Sequence, residues 1–282
     1  MLGFITWDVD PVLFSIGPVT ARWYGLMWGI GFLVGYELIR RIYRNEKCPD
    51  DWADRQFIYM AVGTVLGARL GHCIFYGWDL HGHNFYLEHP VEMLKIWEGG
   101  LSSHGGAFGI LIAMFLFKVF VCKKSYIWIF DRLVMPVAVC AACIRFGNLM
   151  NSEIYGAPTG LPWGFLFVRD QATQIQQFGS PLPCHPTQIY EMLYCLTALA
   201  VCSWLYWKRR AGNCEGIIFG SFLLIVFLTR FFLEFIKNDQ EAFEQSMTLN
   251  MGQLLSIPFV LLGVWMLLRG LRQYRHAPNV NT

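Results

Sequence analysis

Seven stretches of this chain, each about 20 residues long and mostly apolar, constrain its fold more than anything else in it. They cover residues 19–39, 56–76, 104–121, 127–149, 188–207, 216–236 and 250–268. A helix needs about 20 apolar residues to cross a bilayer core. Strands in lipid must close into a barrel to satisfy their backbone, and no barrel-type alternation is visible, so helices are the expected spanning element. Charged residues make up 15% of the 282 and hydrophobic ones 55%, against about a quarter charged in a soluble domain. The expected fold is an all-α polytopic integral membrane protein, one transmembrane domain over residues 1–282 with about seven transmembrane helices. A net charge of +2 with no basic stripe excludes a nucleic-acid footprint. The first apolar run lacks a basic leading region and a cleavage site, so no removable signal peptide is expected.

Positive charge sets the expected orientation. Arg40, Arg41, Arg44, Lys47 and Arg55 follow the first span. Lys118, Lys123, Lys124 and Arg132 separate the third and fourth, Lys208, Arg209 and Arg210 the fifth and sixth, and Arg269, Arg272 and Arg275 follow the seventh. All lie on one side of a seven-span arrangement, and only Arg22, Lys95, Arg169 and Lys237 fall opposite. The N-terminus is therefore expected outside and the C-terminus in the cytoplasm. The two longer loops, about 77–103 and 150–187, are then outer loops, and their Pro and Gly content predicts ordered turns or re-entrant structure rather than regular helix.

Ionisable groups within spans are costly and point to function by default. Arg145 ends the fourth span in "IRFGNLMNSEIYG", with Asn148 one helical turn on and no carboxylate at i±3 or i±4. Its partner must lie elsewhere, in the protein or in a ligand, and a lipid phosphate suits a guanidinium's two-pronged donor edge. Arg230 and Glu234 stand at i, i+4 in the sixth span, where a structural ion pair is the competing reading. Arg69 and His72 stand at i, i+3 in the second, and Gln188 and Glu191 likewise in the fifth. Gly147 and Gly156 allow close backbone approach. His104, among glycines at the start of the third span, suits proton transfer near neutral pH, and a capping role competes with it. Tyr24 lies where aromatic residues line the membrane interface. His81, His83 and His89 read as solvated loop residues rather than a metal site. Cys140 and Cys143 have no second pair at metal-site spacing and read as helix packing. Cys184 is left as bridged or free.

The stretches "RWYGLMW" (22–28), "GARLG" (67–71), "GGLSSHGGAFG" (99–109), "IRFGNLMNSEIYG" (144–156), "HPTQIYE" (185–191) and "RFFLEF" (230–235) together resemble the bacterial prolipoprotein diacylglyceryl transferase family. The resemblance runs from the first span to the sixth. This chain departs from the family pattern at Ile144, Leu149 and Ser152, the last standing where glycine is common. The polar positions of the pattern are intact. The resemblance implies transfer of the diacylglyceryl group of phosphatidylglycerol to the thiol of the lipobox cysteine of a prolipoprotein, with glycerol 1-phosphate released. It further implies a bacterial plasma (inner) membrane protein whose site faces the outer leaflet, with phosphatidylglycerol, the prolipoprotein signal peptide and membrane lipids as partners. No metal or organic cofactor is needed.

On this resemblance His104, Arg145 and Arg230 are the expected catalytic residues. Arg145, Asn148, Tyr24, Asn151, Glu153, Gly156 and Glu234 are expected to bind substrate or shape its pocket, with Glu153 and Glu234 orienting the arginines. Two rivals come from other classes: a transporter or flippase, which predicts inverted repeats and broken helices, neither of which is visible, and a non-catalytic lipid-binding scaffold with purely structural ion pairs.

Overall fold

The computed structural model describes residues 3–17, 19–78, 82–95, 100, 102–209, 211–237 and 248–276. In chain order the elements are β1 (Ile5–Trp7), β2 (Val12–Ile16), β3 (Val19–Arg22), α1 (Trp23–Asn45), α2 (Trp52–Phe75), α3 (Phe85–Glu88), α4 (Ser103–Phe117), α5 (Tyr126–Met150), β4 (Phe165–Phe167), α6 (Gln171–Phe178), α7 (Thr187–Trp207), α8 (Ile217–Leu223), α9 (Thr229–Leu233) and α10 (Met251–His276). A π-helical turn at Lys118–Cys122 prolongs α4. Another at Leu224–Leu228 joins α8 to α9, and a 3-10 turn at Glu234–Ile236 ends that run. Six helical runs are long and apolar enough to cross a membrane, beginning at Trp52, His104, Tyr126, Thr187, Ile217 and Met251. The chain is a mostly helical, polytopic membrane protein.

The first expected span is shifted. Residues 19–22 form β3, which pairs with β2 as a hairpin turning at Gly17, a residue with φ of +58°. The helix starts only at Trp23 and continues to Asn45, so its second half carries Glu37, Arg40, Arg41 and Arg44. The two longer loops hold short ordered pieces: α3 and a 3-10 turn at Pro90–Leu94 in one, β4 and the regular helix α6 in the other.

The chain divides into two compact units, residues 40–129 and residues 1–39 with 130–282. In the smaller unit, Gly63, Gly67 and Gly71 on α2 face Gly105, Gly109 and Ala113 on α4, each set at four-residue spacing. A Cβ at Gly67 would sit 2.7 Å from Gly109 Cα, and one at Gly71 2.7 Å from Gly105 Cα. Lipid tails give apolar helices no reason to associate, so this close backbone packing is the source of the attraction. Above it, the buried Arg69 donates to the carbonyls of Met93 (3.0 Å), Glu92 (2.6 Å) and Gly100 (3.2 Å), and its guanidinium lies 5.2 Å from the Tyr86 ring centroid. Arg69 thus ties the loop to α2.

In the larger unit β1 runs parallel to β4, and Leu149, Tyr155, Phe165, Phe167 and Cys184 form a small core under the second loop. The Trp7 indole N–H donates to the Leu149 carbonyl at 3.0 Å, which also accepts from Ser152 N at 3.0 Å, so the end of α5 is tied to the N-terminal segment. At the other end of α5 the buried Asp131 accepts the backbone N–H groups of Gly216 and Phe219, both at 2.8 Å. It caps α8 from a distant segment, and the N-terminal dipole of α8 favours its charge. α10 starts with a reciprocal capping box. Asn250 Oδ1 accepts from Gln253 N (2.9 Å), and Gln253 Oε1 accepts from Asn250 N (3.1 Å).

Candidate active site

The last turn of α5 carries Arg145 and Asn148 on one face. Arg145 Nη1 donates to Asn148 Oδ1 at 3.3 Å. Between them Gly147 makes room for an aromatic ring: a Cβ there would lie 2.8 Å from Tyr24 Cδ2 and 3.2 Å from Tyr24 Cα. Tyr24, in the first turn of α1, therefore packs against the turn that bears Arg145.

Past the helix the backbone folds sharply. Ser152 and Ile154 have φ of +56° and +60°, a region that non-glycine residues avoid and β-branched ones avoid most. The fold turns Glu153 back toward the helix, where its Oε1 accepts from Asn148 Nδ2 (2.7 Å) and Asn151 Nδ2 (3.2 Å). The first turn of α7 holds the bend by its carbonyls. Thr187 Oγ1 donates to Ile154 O at 2.9 Å and Gln188 Nε2 to Glu153 O at 2.7 Å. Backbone strain sustained by surrounding bonds is a mark of functional sites.

The partner that Arg145 lacks on its own helix comes from α7. Glu191, fully buried, places Oε2 at 2.6 Å from Arg145 Nε. Its Oε1 stands 2.6 Å from the ammonium of Lys237, whose side chain is only 4% exposed. Lys237 Nζ also lies 3.3 Å from Glu234 Oε1, and the same oxygen is 3.3 Å from Arg230 Nε. One chain of alternating charge thus runs Arg145–Glu191–Lys237–Glu234–Arg230. Asn250 Nδ2 lies 3.3 Å from Glu234 Oε2, and Gly252 leaves the space that carboxylate fills.

Both arginines bring Nε to a carboxylate as ion pairs rather than as aligned hydrogen bonds. Their side chains are 23% and 36% exposed, and among the described residues no protein group takes the terminal nitrogens of Arg230. Guanidinium groups oriented in this way are suited to gripping an anion that carries several oxygens. Glu153 reaches Arg145 only through Asn148, so the residue that orients Arg145 directly is Glu191.

Among the expected site residues, Tyr24, Arg145, Asn148, Asn151, Glu153, Gly156, Arg230 and Glu234 all belong to the larger unit. His104 belongs to the smaller one, exposed in the first turn of α4 behind the N-cap Ser102, whose Oγ accepts from Gly105 N at 3.3 Å. Its neighbours Gly99 and Leu101 lie outside the described residues. The sequence marks Glu191 only as an ionisable group a turn from Gln188 in the fifth span, with no part in the site, and Lys237 only as a loop charge. The i, i+3 spacing of Glu234 and Lys237 was the one local signal for it. His81 also falls outside the described residues. His83 Nδ1 meets Glu88 at 2.9 Å, and His89 Nδ1 meets the Phe85 carbonyl at 3.1 Å. Among the described residues no group of three or more His, Cys, Asp or Glu side chains is placed to hold a metal. Cys184 is buried and unbridged, and burial pushes its thiol up to about 11.

Comparison with known proteins bears on the same residues. Residues 11–269 match the family model for prolipoprotein diacylglyceryl transferase. A phosphatidylglycerol–prolipoprotein diacylglyceryl transferase of Porphyromonas gingivalis is 46% identical over 95% of both chains. Proteins of the same name from Chloroherpeton thalassium and Vibrio cholerae are 41% and 35% identical, each over 96% of both chains. The match spans both units and every residue of the charge chain, and this chain belongs to the prolipoprotein diacylglyceryl transferase family.

Proposed function

We propose that the protein transfers the diacylglyceryl group of phosphatidylglycerol to the lipobox cysteine thiol of a prolipoprotein, the first step of lipoprotein maturation. The relatives' printed name supplies both substrate classes. The thiolate sulfur attacks C3 of the lipid's glycerol, the carbon–oxygen bond to phosphate breaks, and glycerol 1-phosphate leaves with the negative charge. A thioether remains on the cysteine.

The observation that carries this reading is the pair of guanidiniums ion-paired to buried carboxylates, with the terminal nitrogens of Arg230 taken by no protein group among the described residues. Charge develops on the departing phosphate, and preorganised donors aimed at developing charge are the largest single source of catalysis in most such sites. Arg145 and Arg230 take that role. Asn148, already polarised by Glu153, binds the headgroup, and Asn151 and Tyr24 shape the pocket. His104 takes the thiol proton, since the thiolate is the nucleophile. The chain crosses the bacterial plasma membrane seven times, α1 included, with the N-terminus outside, the C-terminus in the cytoplasm and the site toward the outer leaflet. The excess of Lys and Arg on one side supports this orientation.

The test mixes purified protein in detergent with phosphatidylglycerol and a synthetic lipobox peptide. Mass spectrometry follows the peptide and a coupled assay follows glycerol phosphate. A diacylglyceryl mass gain that vanishes when the peptide cysteine becomes serine supports the transferase. Lipid binding by folded protein without product supports the scaffold instead. Arg145→Lys should lose turnover with the fold retained, because a point charge cannot reproduce the fork. Full activity of His104→Gln at neutral pH would remove it as the base.

A further inference from the structure

Lys237 stands at the centre of the charge chain, and nothing in the proposed chemistry has used it. Its ammonium touches both carboxylates, and each carboxylate holds one arginine. Without it, Glu191 and Glu234 would balance Arg145 and Arg230 charge for charge. With it, the five groups carry one net positive charge, set against the single negative charge of Glu153 beyond Asn148, where a dianionic phosphate must leave. Burying an ammonium costs several kcal/mol unless it is well paired, and a residue that only filled this space would need no charge.

The backbone explains how Lys237 reaches that position. It follows the 3-10 turn in extended conformation, φ −92° and ψ 155°, and forms an antiparallel bridge with Gly156. Ala157 N donates to Ile236 O at 2.8 Å, and Gly156 N to His185 O at 2.8 Å. A Cβ at Gly156 would press on the Ile236 carbonyl oxygen and come within 2.7 Å of Thr187 Cγ2. The glycine that ends the "NSEIYG" motif is therefore needed where the segment carrying Lys237 docks, rather than as lining for a substrate.

We infer that Lys237, held in place through Gly156, is a positioning residue for the transfer: its ammonium offsets one of the two negative charges of Glu191 and Glu234, so that the field of the two arginines is less cancelled at the leaving phosphate. This rests on the role proposed above for Arg145 and Arg230. Lys237 acts on the departing group through the carboxylates and makes no contact with lipid, so its loss falls on kcat rather than KM.

The full-length protein in detergent is assayed with phosphatidylglycerol and lipobox peptide, alongside thermal unfolding of each variant. Lys237→Gln keeps a donor for the carboxylates and loses the charge. Its kcat should fall about 10- to 100-fold, less than the roughly 100- to 1000-fold expected for a donor in direct contact. KM for phosphatidylglycerol should stay within about threefold if ground-state binding is untouched, and Lys237→Arg should recover most of the loss. Gly156→Ala moves the segment and leaves the cation in the chain. Its kcat should fall likewise, with the double variant no worse than the lower single one.

A folded Lys237→Gln with wild-type kcat overturns the inference, as does a Lys237→Arg no better than the Gln variant. If Lys237→Gln does not fold, Gly156→Ala decides by the same split: a change confined to melting temperature overturns the inference. Turnover retained by Arg145→Lys defeats the leaving-group reading itself. Turnover lost there but kept in Lys237→Gln defeats only the role of Lys237.

Discussion

Ser152→Gly is expected to stabilise this protein, against the general rule that glycine weakens ordered structure. Ser152 has φ of +56° and is 2% exposed, and its Oγ has no hydrogen-bond partner among the described residues. Occupying the left-handed region costs a side-chain-bearing residue about 1 kcal/mol, which glycine escapes. Removing a buried, unpartnered hydroxyl returns about 1 to 3 kcal/mol. Against this stand about 0.5 to 1 kcal/mol of added unfolded-chain entropy and about 1 kcal/mol of lost packing around two small atoms. The balance favours the variant by about 1 kcal/mol, or a rise of roughly 2 to 4 °C in melting temperature. The assay is thermal unfolding in one detergent at one scan rate, because irreversible unfolding makes the midpoint rate-dependent. Transfer activity should be unchanged, since Asn148 and Gln188 still hold Glu153. A fall in melting temperature would refute the reasoning and assign the hydroxyl a stabilising contact.

Three further outcomes follow from the geometry. Glu191→Gln leaves Arg145 and Lys237 without their shared carboxylate. Breaking a buried pair costs about 3 to 5 kcal/mol, nearer the lower figure here because Arg145 is 23% exposed, so a drop of several degrees in melting temperature with loss of transfer is expected, and an unchanged midpoint would count against the chain. Gly109→Ala forces α2 and α4 apart, since its Cβ would stand 3.0 Å from Gly67 Cα and 2.9 Å from Gly63 C. Overpacking of this kind costs about 1 to 3 kcal/mol, and a melting temperature equal to wild type would mean the helices are held by something other than backbone contact. Cys184 gives a pH dependence. Burial raises its thiol from 9.0 to about 11, so above pH 9 the unfolded chain loses the proton while the folded one keeps it, and stability falls as pH rises from 9 to 11. Cys184→Ala should flatten that fall when midpoints are compared at pH 9, 10 and 11, and identical slopes would exclude the thiol as its source.

Part of the site was legible because its signals are local in the chain. An arginine at the end of an apolar run, with Asn148 a turn later, stands out because lipid makes charge expensive. Arg230 and Glu234 were readable as a pair because helical spacing brings i and i+4 together, and they do meet at 3.3 Å. The start of the first helix was misplaced by four residues because Val19–Arg22 is apolar enough to pass for helix, while a hairpin partner at Val12–Ile16 claims its backbone. The four-residue spacing of Gly63, Gly67 and Gly71 drew no reading from the sequence, because which glycines face one another depends on a crossing that no single segment encodes.

What the sequence determined by itself is therefore the class of protein and the identity of its costly residues, because the length of an apolar run and the price of charge in lipid are properties of a segment. What only the tertiary structure decided is how those charges are shared. Glu191 lies 46 positions from Arg145 and 46 from Lys237 along the chain, so no periodicity links the three. They meet because the strained turn at Ser152–Ile154 is clasped by Thr187 and Gln188 of α7, and because Gly156 admits the backbone that carries Lys237. Electrostatic energy depends on distance through space, and here packing alone sets that distance.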